Sequence, residues 1–214
     1  NQLMLERLNE VFNFKSNLFS KASGICMLPA IYIARHFAVN KKVISERISG
    51  ISEFNGRGRV LKGVYNTTII DSSYNSSPMS LRALVDQIEN TKEEYIKIFA
   101  IGQINELGED KNQIHEELGE YLASKCDYLY TVGELANKYL SSSAKASNNK
   151  LNTATFNTSE ELGGSLNELL NNLYKKDNNK KVLILFKGSQ SGVLLERAIY
   201  RIVEPDYIDL ALHR

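Results

Sequence analysis

The sequence predicts an α/β protein, a mostly parallel sheet flanked by helices and preceded by a short helical segment. Three observations carry this. From Ile69 onward, short runs of β-branched or aromatic residues alternate with amphipathic stretches, the trace left by βα units that build a parallel sheet. The run Val182 to Phe186 is continuously apolar, as a central strand buried on both faces requires. Before Asn55 the apolar residues recur at helical spacing and no strand run is evident.

The elements follow in order. Leu28 to Val39 and Val43 to Ile51 read as helices that end at the turn Asn55-Gly56-Arg57-Gly58. Strands are expected at Thr67 to Asp71, Ile96 to Gly102, Tyr128 to Val132, Thr153 to Phe156 and Lys181 to Lys187. Helices are expected between and after them, at Ser80 to Asn90, Asn112 to Lys125, Ser159 to Tyr174 and Val193 to Val203. In the second of these, Ile114, Leu118, Tyr121 and Leu122 share a face and leave Glu116, Glu117 and Glu120 to solvent. Pro78 suits a first helical turn, where a missing amide proton costs nothing. Ser141 to Asn152 has no periodicity and reads as a surface loop. The boundary near Gly63 divides the chain into a helical piece, residues 1–60, and an α/β domain, residues 61–214.

Composition narrows the class of function. With 43% apolar and 24% charged residues the chain can bury a core without disulfides or metals. A formal charge of +1 gives no overall field to gather nucleic acid or an anionic membrane. The tyrosines are scattered and form no stacking stripe for single-stranded nucleic acid. Cys26 and Cys126 are far apart, fit no metal-ligand spacing, and are expected to be buried thiols in a reducing compartment. No apolar run approaches the roughly 20 residues that span a bilayer, and Glu6 and Arg7 lie where a signal peptide would be apolar. A cytoplasmic protein is expected, with no membrane insertion and no protein-held metal. An initial Asn where Met would stand suggests a piece of something longer.

In parallel sheets, ligands bind beyond the carboxyl ends of the strands. The loops expected there are Asp71 to Pro78, Gly102 to Glu109, Gly133-Glu134, and Lys187-Gly188-Ser189-Gln190-Ser191-Gly192. The last could cradle a phosphate or carboxylate beside the Lys187 charge, or could be plain turn chemistry. It is not a Walker loop, because its lysine precedes the glycine. Asp71 could bond a ribose hydroxyl while Arg57 forks onto phosphate, or Asp71 could simply cap the following helix. His115 and His36 read as structural residues, and Glu106 and Glu109 as a turn leading into a helix.

The ordered strings Gly56-Arg57-Gly58-Arg59, Ile70-Asp71-Ser72-Ser73-Tyr74-Asn75-Ser76-Ser77-Pro78, Ile101-Gly102-Gln103-Ile104-Asn105-Glu106-Leu107-Gly108-Glu109 and Phe186-Lys187-Gly188-Ser189 resemble the motif set of the D-alanyl-D-alanine-adding Mur ligases. The resemblance implies a Rossmann-like carboxy-terminal domain behind a remnant of a central ATP-binding domain. It implies a nucleotide set of Arg57, Asp71, Tyr74 and Asn75, and a substrate-facing loop of Lys187, Gly188 and Ser189. It further implies ATP and Mg2+ as cofactors of the intact enzyme, none held by this chain alone. The implied partners are a UDP-N-acetylmuramoyl peptide, D-alanyl-D-alanine, and amino-terminal and P-loop domains supplied in cis or trans.

Departures are explicit. Ser72 stands where the family shows a second acid, Gln103-Ile104 replace Asp-Met, and Ala22, Ser23 and Cys26 stand where polar groups are usual. No Gly-x-x-x-x-Gly-Lys-Ser/Thr loop occurs in the sequence. The same features suit a second reading, a non-catalytic Mur-like module that works with a separate ATPase partner.

Overall fold

The computed structural model describes residues 2–3, 14–16, 18–91 and 93–211. It comprises two compact units, Asn1–Phe54 and Asn55–Arg214. In the first, a two-residue pair of strands, β1 (Gln2–Leu3) and β2 (Phe14–Lys15), accompanies helices α1 (Lys21–Cys26), α2 (Leu28–His36) and α3 (Lys41–Ser49). The strand pair was not expected, because two residues are too few to show periodicity. Ser20 and Asn40 cap α1 and α3 with their side chains, and Pro29 sits in the first turn of α2. Among the described residues of this unit, Ile31, Ile44 and Ile48 form a buried cluster. The expectation of buried thiols fails for Cys26, which is exposed, and holds in part for Cys126, which is half-buried and whose thiol pKa burial pushes up to about 12. His36 is likewise on the surface, edge-on to Phe37. The apolar residues Leu5, Leu8, Val11 and Phe12 lie outside the described residues.

The second unit is a six-stranded sheet in the order β3 (Arg59–Gly63), β4 (Thr67–Ser72), β8 (Val182–Lys187), β5 (Ile96–Gly102), β6 (Tyr128–Val132), β7 (Asn152–Phe156). Every pairing is parallel except β3 with β4. The edge strand β3 escaped sequence reading because Arg59 and Lys62 interrupt it, yet its burial alternates, Leu61 and Gly63 inward against Val60 and Lys62 outward. Charge on an outer face is usual at a sheet edge. Central β8 is buried at every position, as its apolar run predicts.

Helices α4 (Pro78–Glu89), α5 (Lys111–Leu122), α6 (Ser142–Ser147), α7 (Ser159–Lys176), α8 (Glu196–Ile199) and α9 (Ile208–Ala211) complete the unit. Ile69, Ile98, Ile184 and Phe186 pack with Leu162, Leu166 and Leu170 of α7 and Ile199 of α8. Alternation along the strands leaves Ile70, Phe99, Leu183 and Leu185, all buried, for the opposite face, and the buried stripes of α4 and α5 supply its cover.

Two expectations needed correction here. Ser141 to Asn152 is largely helical: a π-helical turn, Ala136–Ser141, runs into α6. Ala136, Leu140 and Ala144 recur every four residues and are fully buried, a helical stripe hidden among small polar residues. The helix expected from Val193 to Val203 shrinks to Glu196–Ile199, because Gly192 and Leu194 adopt positive φ and break its start.

Candidate functional site

Parallel register brings the ends of β4, β8 and β5 level, with Ser72 and Ile101 flanking Lys187. The loops that leave these strand ends form one surface. On its outer side the turn at Gly56 and Gly58 uses two positive-φ glycines. Gly58 N–H donates to the Asp71 carbonyl (2.7 Å) and Tyr74 N–H to the Gly56 carbonyl (3.1 Å). These bonds set the exposed Arg57 guanidinium 4.4 Å from the centre of the Tyr74 ring.

The residues expected to hold nucleotide are therefore brought together but not alike. Arg57, Tyr74 and Asn75 are exposed, whereas Asp71 is fully buried. Asp71 Oδ1 accepts from the Ser73 hydroxyl (2.6 Å) and the Ser73 N–H (3.2 Å). Asp71 does not cap α4. Ser77 does so in a reciprocal box with Ser80, and Pro78 opens the helix as its position predicts.

The Lys187-Gly188-Ser189 loop is engaged from within. Lys187 is 3% exposed, and its Nζ donates to the Asn75 carbonyl at 2.7 Å. Burial, aided by the nearby Arg57 charge, lowers its pKa from 10.5 to about 8. Gly188 runs so close to β5 that a Cβ there would lie 2.8 Å from Gly102 Cα. Ser189 donates its N–H to the Gln103 carbonyl (3.0 Å) and accepts the Asn105 N–H on Oγ (3.0 Å). Asn105 Nδ2 reaches the Ser191 carbonyl, and Gln190 N–H the Tyr74 carbonyl.

His115, buried on α5, accepts the Ile104 N–H on Nε2 (3.1 Å) and has Nδ1 2.6 Å from the Lys111 carbonyl. It anchors the loop after β5, as a structural histidine should. Glu106 and Glu109 lie exposed in the turn before α5. The loop Gly133-Glu134 borders a cavity of about 430 Å3 shared with Asn137, Lys138 and Phe156. Gln103, Asn105 and Gln190 knit the loops together. The sequence shows them only as polar residues beyond strand ends, and no spacing marks their role. Among the described residues no His, Cys, Asp or Glu grouping suits a metal ion, and no helix is long and apolar enough to cross a membrane.

Arg57, Tyr74 and Asn75 suit a ligand that carries both a flat ring and an anion. A stacked guanidinium keeps its in-plane donors available to phosphate, and Tyr74 is 39% exposed beside it.

Comparison with known proteins places these features in context. The family model for the Mur ligase, glutamate ligase domain, matches residues 56–190. A UDP-N-acetylmuramoyl-tripeptide–D-alanyl-D-alanine ligase of Rickettsia prowazekii is 29% identical over 183 residues, 78% of this chain and 37% of that protein. The crystal structure of MurF from Acinetobacter baumannii superposes with a TM-score of 0.62 at 26% identity, over 85% of this chain and 35% of that one. The MurF ligase of Thermotoga maritima, solved in complex with ADP, shares the fold with a TM-score of 0.69 at 20% identity, over 90% of this chain and 40% of that one. The chain thus spans about two-fifths or less of the length of these relatives.

Proposed function

This chain belongs to the Mur ligase family through its glutamate ligase domain, and on that premise we propose that it is the carboxy-terminal portion of an ATP-dependent, ADP-forming ligase. The reaction would join D-alanyl-D-alanine to a UDP-N-acetylmuramoyl-tripeptide in peptidoglycan synthesis, as the names of its relatives describe for them. In this reading residues 1–60 end a central ATP-binding domain and residues 61–214 are the carboxy-terminal domain. The other domains act in cis or in trans, in the cytoplasm where the nucleotide-linked substrate is made.

The observation that carries the proposal is the exposed Arg57–Tyr74 pair, formed between the turn before edge strand β3 and the loop that leaves the carboxyl end of β4. When bound, ATP with Mg2+ would supply the phosphoryl group that activates the substrate carboxylate. Arg57 would meet nucleotide phosphate from the side, Tyr74 and Asn75 would shape the wall around the base and sugar, and buried Asp71 would fix that wall through Ser73. The loop at Lys187, Gly188 and Ser189 closes the inner side of the same surface and faces the peptide substrate. Its contribution is positional, since phosphoryl and acyl transfer depend on holding the reacting groups in line.

Calorimetric titration with Mg-ADP tests the reading. Although the family resemblance implies no cofactor held by this chain alone, the exposed Arg57–Tyr74 pair leads to the expectation of residual Mg-ADP binding by the chain. Arg57→Ala and Tyr74→Ala are each expected to weaken it by about tenfold or more, the scale of one lost charge-assisted hydrogen bond or stacking contact. Absence of binding by the unaltered chain, or binding indifferent to both substitutions, would overturn it.

A further inference from the structure

We propose that Lys187 is a positioning residue whose buried ammonium clamps the Asn75 carbonyl and thereby sets the exposed Tyr74-Asn75 tip, and that it does not receive the substrate's carboxylate. The proposal deepens the nucleotide-facing reading of that tip and rests on it for its functional half.

The geometry is specific. Lys187 ends the central strand, and its side chain crosses to a residue 112 positions earlier in the chain. The tip it reaches is otherwise exposed at Tyr74 and Asn75, so its conformation depends on ties from below. The ties fall on consecutive carbonyls: Tyr74 O takes the Gln190 N–H (3.2 Å) and Asn75 O takes Lys187 Nζ (2.7 Å). A carbonyl accepting from an ammonium is a charge-assisted bond, stronger than a neutral one.

The neighbours of Lys187 are engaged in the same way. Gly188 permits a close backbone approach to Gly102, and Ser189 holds Gln103 and Asn105. The three strand-end loops are thus one hydrogen-bonded assembly keyed through this tripeptide. A lysine that bound a substrate carboxylate in this place would have to leave the Asn75 carbonyl and uncover a side chain that is 97% buried, since only 3% is exposed. The pKa of Lys187 is lowered by burial first and by the Arg57 charge second, and no carboxylate is among its causes to raise it.

The test uses the full chain, the variants Lys187→Met and Lys187→Arg, and three readouts: amide exchange and chemical shifts, Mg-ADP calorimetry, and titration with D-alanyl-D-alanine. In Lys187→Met the β8 amides should stay protected while Gln190 N–H loses protection by about tenfold or more, and Mg-ADP affinity should fall by about fivefold or more. Lys187→Arg, which keeps the donor, should restore most of both. Should Lys187→Met fail to fold, the unaltered chain decides. The Lys187 Cε signal and the Asn75, Ser76 and Gln190 amides should titrate with one common midpoint, unmoved by saturating D-alanyl-D-alanine.

Unchanged Gln190 protection in Lys187→Met would overturn the proposal. So would a Lys187 midpoint raised by D-alanyl-D-alanine, the mark of a carboxylate ligand. If the unaltered chain bound no ADP while the shared titration persisted, the nucleotide reading would fall and the clamp would stand.

Discussion

At His115 the two ring nitrogens have opposite duties. Nε2 accepts the Ile104 N–H and Nδ1 faces the Lys111 carbonyl, so the ring fits the site as the neutral Nδ1–H tautomer and a second proton would displace Ile104. Burial lowers the His115 pKa below its ordinary 6.5, only partly opposed by the Lys111 carbonyl. With a depressed folded pKa the unfolded chain takes up a proton that the fold resists. Stability is therefore intact above pH 6.5 and declines as pH falls through that value, by about 1.4 kcal/mol for each unit of depression. Melting temperatures of the chain and of His115→Gln between pH 7.5 and 5.0 measure this. The unaltered chain should lose more over that interval than the variant, and parallel profiles would refute the assignment. The contrast with Lys187 shows what a sequence reveals at this scale. His115 is legible as structural because it lies on the apolar stripe of an amphipathic helix. Arg57, Tyr74 and Asn75 stand out through their motif, and the fold exposes all three, with Arg57 against the Tyr74 ring; their nucleotide role is a proposal. The bond from Lys187 to Asn75 is invisible, since nothing local links residues so distant, and a lysine beside a glycine looks like an anion cradle until its partner is seen.

Elements were legible wherever periodicity was strong and the buried side uniform. Strands β5 and β6 fall at their expected bounds, and β8 within one residue of them. The helical stretch over residues 136–147 stayed hidden because its burial is achieved largely by small residues. The Ala136, Leu140 and Ala144 stripe packs closely because α5 presents Gly119 to it. A Cβ at Gly119 would lie 2.2 Å from the Leu140 carbonyl oxygen and 3.0 Å from Ala144 N. Both obstacles are backbone, so no rotamer change relieves them and the π-helical turn would have to move away from α5. Gly119→Ala is accordingly expected to destabilise by about 3 kcal/mol or more in denaturant unfolding. Gly164 supplies the control, for it sits in α7 with nothing within 4 Å of an added Cβ. There an alanine should stabilise by about 0.5 to 1 kcal/mol through helix propensity alone. Equal effects at the two sites would mean that the close approach at Gly119 is not what holds α5 to its neighbour.

For the whole molecule, the sequence boundary was drawn near Gly63, while the compact units divide at Phe54 and Asn55. The difference is β3, which the charged residues Arg59 and Lys62 concealed and which belongs with the sheet through its pairing to β4. The two units have unequal means of stability. The sheet unit's buried cluster draws all its members from residues 61–211 and includes strands from the edge to the centre as well as α7 and α8. Among the described residues, the first unit's cluster comprises Ile31, Ile44 and Ile48, with Met27, Ala34 and Val39 packed against it. It also leaves Ile25, Ile33, Phe37 and Phe54 more than half exposed, at 60%, 55%, 74% and 80%. Buried apolar area is the main source of folding free energy, so residues 55–214 should fold without the rest. A chain of residues 55–214 is expected to be soluble and cooperative, with its melting temperature within about 3 °C of the main transition of the full chain. Limited proteolysis of the full chain should accumulate a resistant fragment that begins near Asn55, because the smaller cluster opens first. A shortened chain that aggregates or melts more than about 10 °C lower would show that the sheet draws stability from the helical unit.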